Sequence, residues 1–445
     1  MIWKFSSLTR SRNLRACFLL LLIISLFAYG TVTVILHEGE DPSRLDADEY
    51  EYYTLSERFI EGKYTFDLRR PPTHILVLST IKAFTSGDFM YTRVFISFIF
   101  AFTGPLLYIL AHRVTGSSTV ALTSGLIAIF WPPFLFYGST LYSETTALPL
   151  FILVMIVIPL GSLIAGGTDV RWARSIAAGL LLGLCILARP MYLIFFVMSP
   201  TILFSEETNW AIAARRTVAL AGGCFLLILP WSAYVTTESG HPVLVSANGG
   251  ETLAGGLNPA LLNNGYTYSV APNGRTGWDG PGKWYPDYKT GYLNKDELEL
   301  PYFERGTLLR QRAIAWALQN PGPALRLQAA KLLYMWGFYP FWNGWRQTLL
   351  GNILTIAAVA LSILSICRFG SHGRQLSRFW LLPLFTSVVA LTSWGSWRFR
   401  QPGDLGLMVL SVLFINSIYT HGSQNAFGPS VGDRGADPLG RRSDL

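Results

Sequence analysis

Apolar and polar residues along this chain alternate in long blocks. The first apolar block, Ala16 to Leu36, is 21 residues without a charge. Further uncharged runs fall at 94–111, 119–143, 145–168, 217–237, 347–367 and 379–397. Runs of this length are long enough to cross the hydrocarbon core of a bilayer as helices. A shorter run, 405–420, crosses if the bilayer thins or its ends snorkel. The region 175–205 is apolar except where Arg189 precedes Pro190, and it reads as two short spans meeting at that pair. The pattern predicts an all-α integral membrane protein of about ten transmembrane helices. Lys4, Arg10, Arg12 and Arg15 precede the first run. A signal peptide has a core of about 7–15 residues and a small-residue cleavage site. This run is longer and no such site follows, so a retained first span is expected.

Outside these runs the periodicity changes. Residues 48–62 place Tyr52, Leu55, Phe59 and Ile60 at helical spacing, with Glu51, Glu57, Arg58 and Glu61 elsewhere. This predicts an amphipathic helix lying on the outer membrane surface. Residues 73–86 are apolar but too short to cross, which predicts a second interfacial or re-entrant helix. Segment 247–282 holds nine glycines and several asparagines and reads as a turn-rich loop. Helices are expected at 303–319 and 324–336, separated by Asn320-Pro321. The domain organisation expected is one membrane module, 1–420, with outer loops 37–92 and 238–346. A polar tail, 421–445, is expected to be disordered and cytoplasmic. No internal repeat is visible.

Charge gives this topology a direction. Only 14% of residues are charged, against about 25% in ordinary soluble domains, and 51% are apolar. The net charge of +8 raises the question of nucleic acid. The excess sits in short loops between apolar runs, where topology accounts for it, so no nucleic-acid partner is expected. With ten spans, the basic N-terminus and the loops around Arg113, Arg171 and Arg174, Arg215 and Arg216, and Arg368 to Arg378 fall on one side. That side is the cytoplasm by the positive-inside rule. Both termini are then cytoplasmic, and loops 37–92 and 238–346 lie outside. Cys17, Cys185, Cys224 and Cys367 fall inside or at the edge of apolar runs and form no C-x-x-C pair. They read as buried small apolar residues, not disulfides or metal ligands.

The candidate chemistry lies on the outer side. Asp46, Asp48, Glu49 and Glu51 crowd six positions of the first outer loop. Carboxylates favour a helix start by about 0.3–1 kcal/mol, and Asp46 would make a good N-cap. The alternative is a general base held at the bilayer surface. Arg69 and Arg70 precede Pro71-Pro72, which fix the chain's direction. They either snorkel to lipid headgroups or bind one particular phosphate, whose oxygens match a guanidinium fork. Arg189 interrupts an apolar region, and a charge there is a functional hypothesis by default. Arg398 and Arg400, in SWRFRQP, are further outer-side cations that run against the positive-inside trend. Glu144, between two spans, reads equally as a helix cap or a functional carboxylate. Six histidines are scattered without metal-ligand spacing, and only His74 lies near these residues in the sequence.

With those residues in view, the chain resembles a known group. DADEYEYYTLSERFIEG followed by RRPPTHILVLSTIKAF resembles the start of GT-C integral-membrane glycosyltransferases related to protein O-mannosyltransferases and the lipid A aminoarabinose transferase. FWPPFLFYGSTLYSET, GLCILARPMYL, LPWSAYVTTESGHPVLVSANGGETLAGGLNP and WRFRQP resemble later motifs of the group, in order, over about residues 14 to 420. The resemblance implies an inverting transferase that takes its sugar from a polyprenyl-phosphate carrier. By position it implies Asp46 as the catalytic acidic residue, taking the proton from the acceptor hydroxyl, with Glu49 and Tyr50 in the helix that follows. Asp48 stands nearby as a second carboxylate for the same role, and Glu49 as a third.

The physical picture that follows keeps the donor's tail in lipid and its phosphate on Arg69, Arg70, Arg189, Arg398 or Arg400. Asn248, in the long outer loop, is a further candidate. The acceptor would be a lipid, a glycan or a protein. A divalent cation is compatible with such a site, although no ligand set is visible. A bacterial inner membrane suits the composition best. The rivals are an O-antigen ligase or polymerase and a secondary transporter. The first uses a diphosphate-linked glycan. The second places its charges near the midplane between two related halves.

Overall fold

The computed structural model describes residues 2–45, 47–63, 69–158, 168–207, 209–258, 269–270, 276–277, 292–294, 296–337, 345–370, 373–393, 395 and 397–420. The fold is helical. In chain order the helices are α1 (Ile2–His37), α2 (Ala47–Ile60), α3 (Pro72–Phe84), α4 (Phe89–Ala101), α5 (Thr103–Thr115) and α6 (Ser118–Phe130). They continue with α7 (Pro132–Gly138), α8 (Glu144–Val157), α9 (Thr168–Ala188), α10 (Tyr192–Glu206), α11 (Trp210–Ser239) and α12 (Gly249–Gly256). The last described helices are α13 (Tyr302–Gln319), α14 (Pro321–Met335), α15 (Trp345–Arg368), α16 (Gly373–Thr392) and α17 (Gln401–Tyr419). Two short antiparallel strands pair Ser269 with Gly277 and Val270 with Thr276.

The expectation of ten spans is met in part. By length and composition, five helical segments among the described residues can cross a membrane: Asn13–His37, Phe89–Thr115, Arg171–Ala188, Trp210–Ser239 and Arg398–Tyr419. A sixth is the pair α6 and α7, bent by 55°. The sequence expected one straight span over 119–143. The bend falls at Trp131, whose backbone is extended before Pro132-Pro133. Proline clashes with an α-helical residue before it, so the helix ends there and restarts with a proline in its first turn. The other apolar helices, Glu144–Val157, Tyr192–Ser205, Asn352–Arg368 and Leu376–Thr392, are shorter. The tail 421–445 and much of the glycine-rich stretch lie outside the described residues. The part of that stretch that is described contains α12, where a loop was expected.

Three packing units position what matters. The largest runs through α1, α4 to α11, α16 and α17. Its aromatic centre joins α8, α10 and α16: Phe151 meets Phe195 edge-on at 4.7 Å, and Tyr192 stacks on Phe385 at 5.8 Å. A second unit, Ala254, Leu257, Leu293, Leu309, Ala313, Ala324 and Leu327, ties α12 to α13 and α14. A third packs Tyr52, Tyr53 and Leu55 of α2 on Ile75, Leu78 and Ile81 of α3, with Ile96 and Leu141 beneath. The two helices expected at the membrane surface therefore pack against each other on α4. Phe59 and Ile60, on the apolar face of the expected helix, are nearly half exposed at the end of α2.

Helices α9 and α11 approach most closely through glycine. A Cβ on Gly179 would lie 2.0 Å from the Leu220 carbonyl, and one on Gly223 would lie 2.3 Å from that of Ile176. Small residues four apart, Gly179 and Gly183, allow the two backbones to touch. Gly179→Ala is expected to cost about 1–3 kcal/mol, because the facing backbone must move. The readout is a lowered melting temperature of the detergent-solubilised protein, with Gly222→Ala, which meets open space, as the neutral control.

Candidate functional site

Helix ends converge at one end of the bundle. The first turn of α2 supplies Asp48 and Glu49. The turn before α3 supplies Arg69 and Arg70. The first residue of α8 is Glu144, where a carboxylate also suits the helix dipole. Arg189 follows the end of α9, and Arg398 lies in the short 3-10 turn Trp397–Arg400 before α17. Pro71, in extended backbone, and Pro72, at the first helical position, direct Arg70 away from α3 and towards α2.

These side chains form one ionic cluster. Arg70 Nη2 donates to Asp48 Oδ1 at 2.5 Å and to Glu51 Oε2 at 2.6 Å. Arg69 pairs with the other oxygen of Glu51 at 3.0 Å. Arg398 Nη1 donates to Asp48 Oδ2 at 2.5 Å. Its Nε and Nη2 donate to the two oxygens of Glu144, the second at 3.1 Å. Arg189 also pairs with Glu144. Aromatic faces back three of the cations: Tyr142 under Arg398 at 3.7 Å, Tyr52 under Arg70 at 4.8 Å and Phe399 under Arg189 at 4.8 Å. Four guanidinium groups thus meet three carboxylates. Asp48 is the most open of the carboxylates, its side chain 34% exposed against 18% for Glu51 and 4% for Glu144. Burial would raise the pKa of Asp48, but Arg398 and Arg70 beside it outweigh burial and hold the carboxyl below the usual range.

Glu49 has a different position. It is buried, and its Oε1 accepts from the Leu141 amide at 2.7 Å and from Arg93 at 3.1 Å. Arg93, fully buried on α4, also donates to the Ser139 carbonyl at 3.2 Å and to Glu40 at 3.1 Å. Glu40 contacts His37 Nδ1 at 2.8 Å. This second network fastens the start of α2 to α1, α4 and the end of α7. It fixes the backbone that presents Asp48.

Other residues of interest fall at varied distances from the cluster. Asp46 lies outside the described residues. Tyr50 is more than half exposed. Asn248 stands at the N-cap position of α12, where its side chain makes no capping bond and its Oδ1 accepts from the Ser246 hydroxyl at 2.7 Å. Arg400 was expected beside a phosphate. It is instead buried against Asp404 at 2.9 Å and donates to the Met335 carbonyl at 2.9 Å. Asp404 also accepts from Trp131 at 3.0 Å, which ties the 3-10 turn to the break between α6 and α7. Two residues apart in an extended or 3-10 segment, Arg398 and Arg400 need not share a partner, and here they diverge. Among the described residues no group of three or more His, Cys, Asp or Glu is placed to hold a metal ion.

Sequence reasoning passed over Arg93, Tyr142 and Lys331, and read Tyr52 only as part of an apolar helix face. Lys331 is buried on α14, and its ammonium donates to the Leu391 and Ser393 carbonyls at 3.3 and 2.9 Å. It therefore holds the end of α16, from which the chain continues to Arg398. Arg93 carried a usable signal: like Arg189, it is a cation bordering an apolar run.

His74 lies under the cluster, fully buried on α3. Its Nε2 faces the Leu141 carbonyl at 2.9 Å, so that nitrogen carries the proton, and Nδ1 accepts from the Thr146 hydroxyl at 2.8 Å. Burial, with Arg398, Arg189 and Arg70 adding to it, pushes its pKa down to about 4 against the Leu141 hydrogen bond. The unfolded chain takes up a proton near pH 6.5 and the folded protein does not, so stability falls as pH drops from about 6.5 towards 4. His74→Asn is expected to flatten this fall, as read from melting temperatures across that range.

The comparisons with known proteins follow this geometry. No family model matches the sequence. No curated protein matches it either. Among solved structures, the chain is similar to the archaeal oligosaccharyltransferase AglB from Archaeoglobus fulgidus in complex with an inhibitory peptide and a dolichol-phosphate. Identity is 14%, the match covers 96% of this chain and 52% of that one, and the TM-score is 0.48. The apo form of the Archaeoglobus fulgidus enzyme gives 16% identity, 91% and 51% coverage, and a TM-score of 0.49. ArnT from Cupriavidus metallidurans bound to undecaprenyl phosphate gives 15% identity, 95% and 81% coverage, and a TM-score of 0.43. The chain spans about half the length of the archaeal oligosaccharyltransferase. The solved structures this chain is similar to are GT-C superfamily glycosyltransferases, at low sequence identity.

Proposed function

We propose that this protein is an inverting glycosyltransferase that takes a sugar from a polyprenyl-phosphate donor at the extracytoplasmic membrane face. The observation that carries the reading is the position of Asp48: a partly open carboxylate between Arg70 and Arg398, with Arg189 one side chain further on. An acceptor hydroxyl needs a base, and a departing lipid phosphate needs fixed cations. Both stand within one side chain of each other here.

In the proposed reaction the acceptor oxygen attacks the anomeric carbon as its proton passes to the Asp48 carboxylate. The bond between that carbon and the phosphate oxygen breaks, and polyprenyl phosphate leaves with the electron pair. Arg70, Arg398 and Arg189 stabilise the charge growing on the phosphate. A preorganised donor of this kind is worth about 3–4 kcal/mol of barrier. Among the described carboxylates of α2 we assign this role to Asp48, since Glu49 is committed to Arg93 and the Leu141 amide; Asp46 lies outside the described residues. Arg69 guards the rim, its guanidinium 5.5 Å from the ring of Tyr302 on α13, so the long outer segment meets the site there. The acceptor is a lipid, glycan or protein hydroxyl. The shorter apolar helices α8, α10, α15 and α16 complete ten crossings, with both termini cytoplasmic in a bacterial inner membrane.

The test is transfer by the purified wild-type protein from a panel of radiolabelled polyprenyl-phosphate sugars to a membrane lipid and glycan extract. Nucleotide sugars are run in parallel. Transfer from one lipid-linked sugar, and none from nucleotide sugars, is the expected result. Transfer from a nucleotide sugar alone would sink the reading.

A further inference from the structure

The cations of the cluster are already engaged by carboxylates. Arg70 and Arg398 each hold a different oxygen of Asp48. Arg398 also spans both oxygens of Glu144, which Arg189 shares. A phosphate that binds these arginines must therefore take hydrogen bonds from a side chain of the protein. Asp48 is the carboxylate best placed to give way. It is a third exposed and short, and the α2 backbone behind it is held by Glu49 and Arg93. A change of its side-chain rotamer releases its own bonds to both guanidinium groups without moving a helix, while Glu51 still holds Arg70 and Glu144 still holds Arg398. Glu144 is buried and held by two arginines, which makes it the harder partner to displace.

We propose that Asp48 is an internal counter-ion that competes with the donor phosphate for Arg70 and Arg398, so that donor binding itself releases the base. The inference rests on the polyprenyl-phosphate reading above and adds a coupling to it. With the site empty of donor, the two arginines keep Asp48 ionised and weakly basic. Donor phosphate draws both arginines to itself. Asp48 then loses the cations that lowered its proton affinity and becomes a better proton acceptor, with the acceptor hydroxyl as its new partner. After transfer, Asp48 can reclaim the arginines and help expel the lipid phosphate, a step that often limits turnover. The charged and titratable groups facing Asp48 are Arg70 and Glu51, Arg398 and Glu144, with Arg189, His74, Tyr52 and Tyr142 around them. The coupling is reciprocal: whatever removes the carboxylate tightens the phosphate.

Undecaprenyl phosphate is the probe, titrated against full-length protein in detergent, for the wild type, Asp48→Asn and Glu144→Gln. Asp48→Asn is expected to bind it about tenfold or more tightly than the wild type, since it removes a competing charge-assisted pair at each arginine. Glu144→Gln frees Arg398 and Arg189 and is expected to bind more tightly as well. It stands in if the first variant does not fold. Binding by Asp48→Asn at or below the wild-type affinity overturns the competition, while measurable wild-type binding leaves the donor reading standing. No binding by any of the three overturns the donor reading and this inference with it.

Discussion

Arg398→Ala is expected to abolish measurable transfer and to lower the stability of the fold by about 1.5–3 kcal/mol, the scale of lost charge-assisted hydrogen bonds, and short of the cost of a wholly unpaired buried charge because Glu144 keeps Arg189 and Asp48 keeps Arg70. Arg398 is 16% exposed and Glu144 only 4%, so the pair lies largely out of water. Arg398 joins α8 to the turn before α17, and it joins both to α2 through Asp48. Alanine leaves Glu144 with Arg189 and Asp48 with Arg70, and removes the cation resting on Tyr142. Arg398→Lys restores the charge but not the fork that reaches two carboxylates, so it recovers stability better than transfer. Adding Glu144→Gln to Arg398→Ala completes the double-mutant cycle for this pair and is expected to return none of the transfer. The non-additivity of that pair in melting measurements reports their contact directly.

Asp48→Asn carries the second large effect: transfer falls by roughly 10²–10⁴-fold, the contribution of a positioned general base. The amide keeps the size and one acceptor oxygen but takes no proton. Glu49→Gln is the informative contrast. Glu49 accepts from the Leu141 amide and from Arg93 in a buried site, so its loss is expected mainly as a lowered melting temperature. The pH dependence separates the two further. Arg398 and Arg70 hold the Asp48 carboxyl below its ordinary range despite burial. Its folded pKa is lower than its unfolded value near 3.9, so its contribution to stability is present above that pH. The contribution is lost only as pH falls through the folded value. Between pH 5 and 8 the donor-free protein is therefore expected to show no stability change attributable to Asp48.

The sequence carried the helical membrane architecture because uncharged runs and flanking cations are local signals. The amphipathic pattern of 48–62 and the short apolar run 73–86 likewise foretold α2 and α3. The number of crossings was harder. Pro132 and Pro133 cut one apolar run into two helices with a 55° bend, and run length alone does not register that. The site was legible as a set of residues but not as pairs. Arg70, Arg189, Arg398, Asp48 and Glu144 were all visible as outer-side charges. Their partnership arises from tertiary packing that brings together residues up to 350 positions apart. The pairing of Arg400 with Asp404 is local by contrast, four residues apart where the apolar run 405–420 begins, and only its further partner Trp131 is far away in sequence. Position in a motif favoured Asp46 over Asp48. The contacts that distinguish the carboxylates of α2 lie on α4, at Leu141 before α8, and in the turns before α3 and α17, and none of these is local.

The most direct test of the central claim is a single-turnover experiment on donor-loaded protein. Wild type and Asp48→Asn are each loaded with the same radiolabelled polyprenyl-phosphate sugar, occupancy is measured, and acceptor extract is added. The account predicts full occupancy in both and rapid transfer by the wild type. Asp48→Asn keeps its label on the lipid for at least a hundred times longer, as expected for a missing base. Transfer by Asp48→Asn at the wild-type rate from equal occupancy would contradict it.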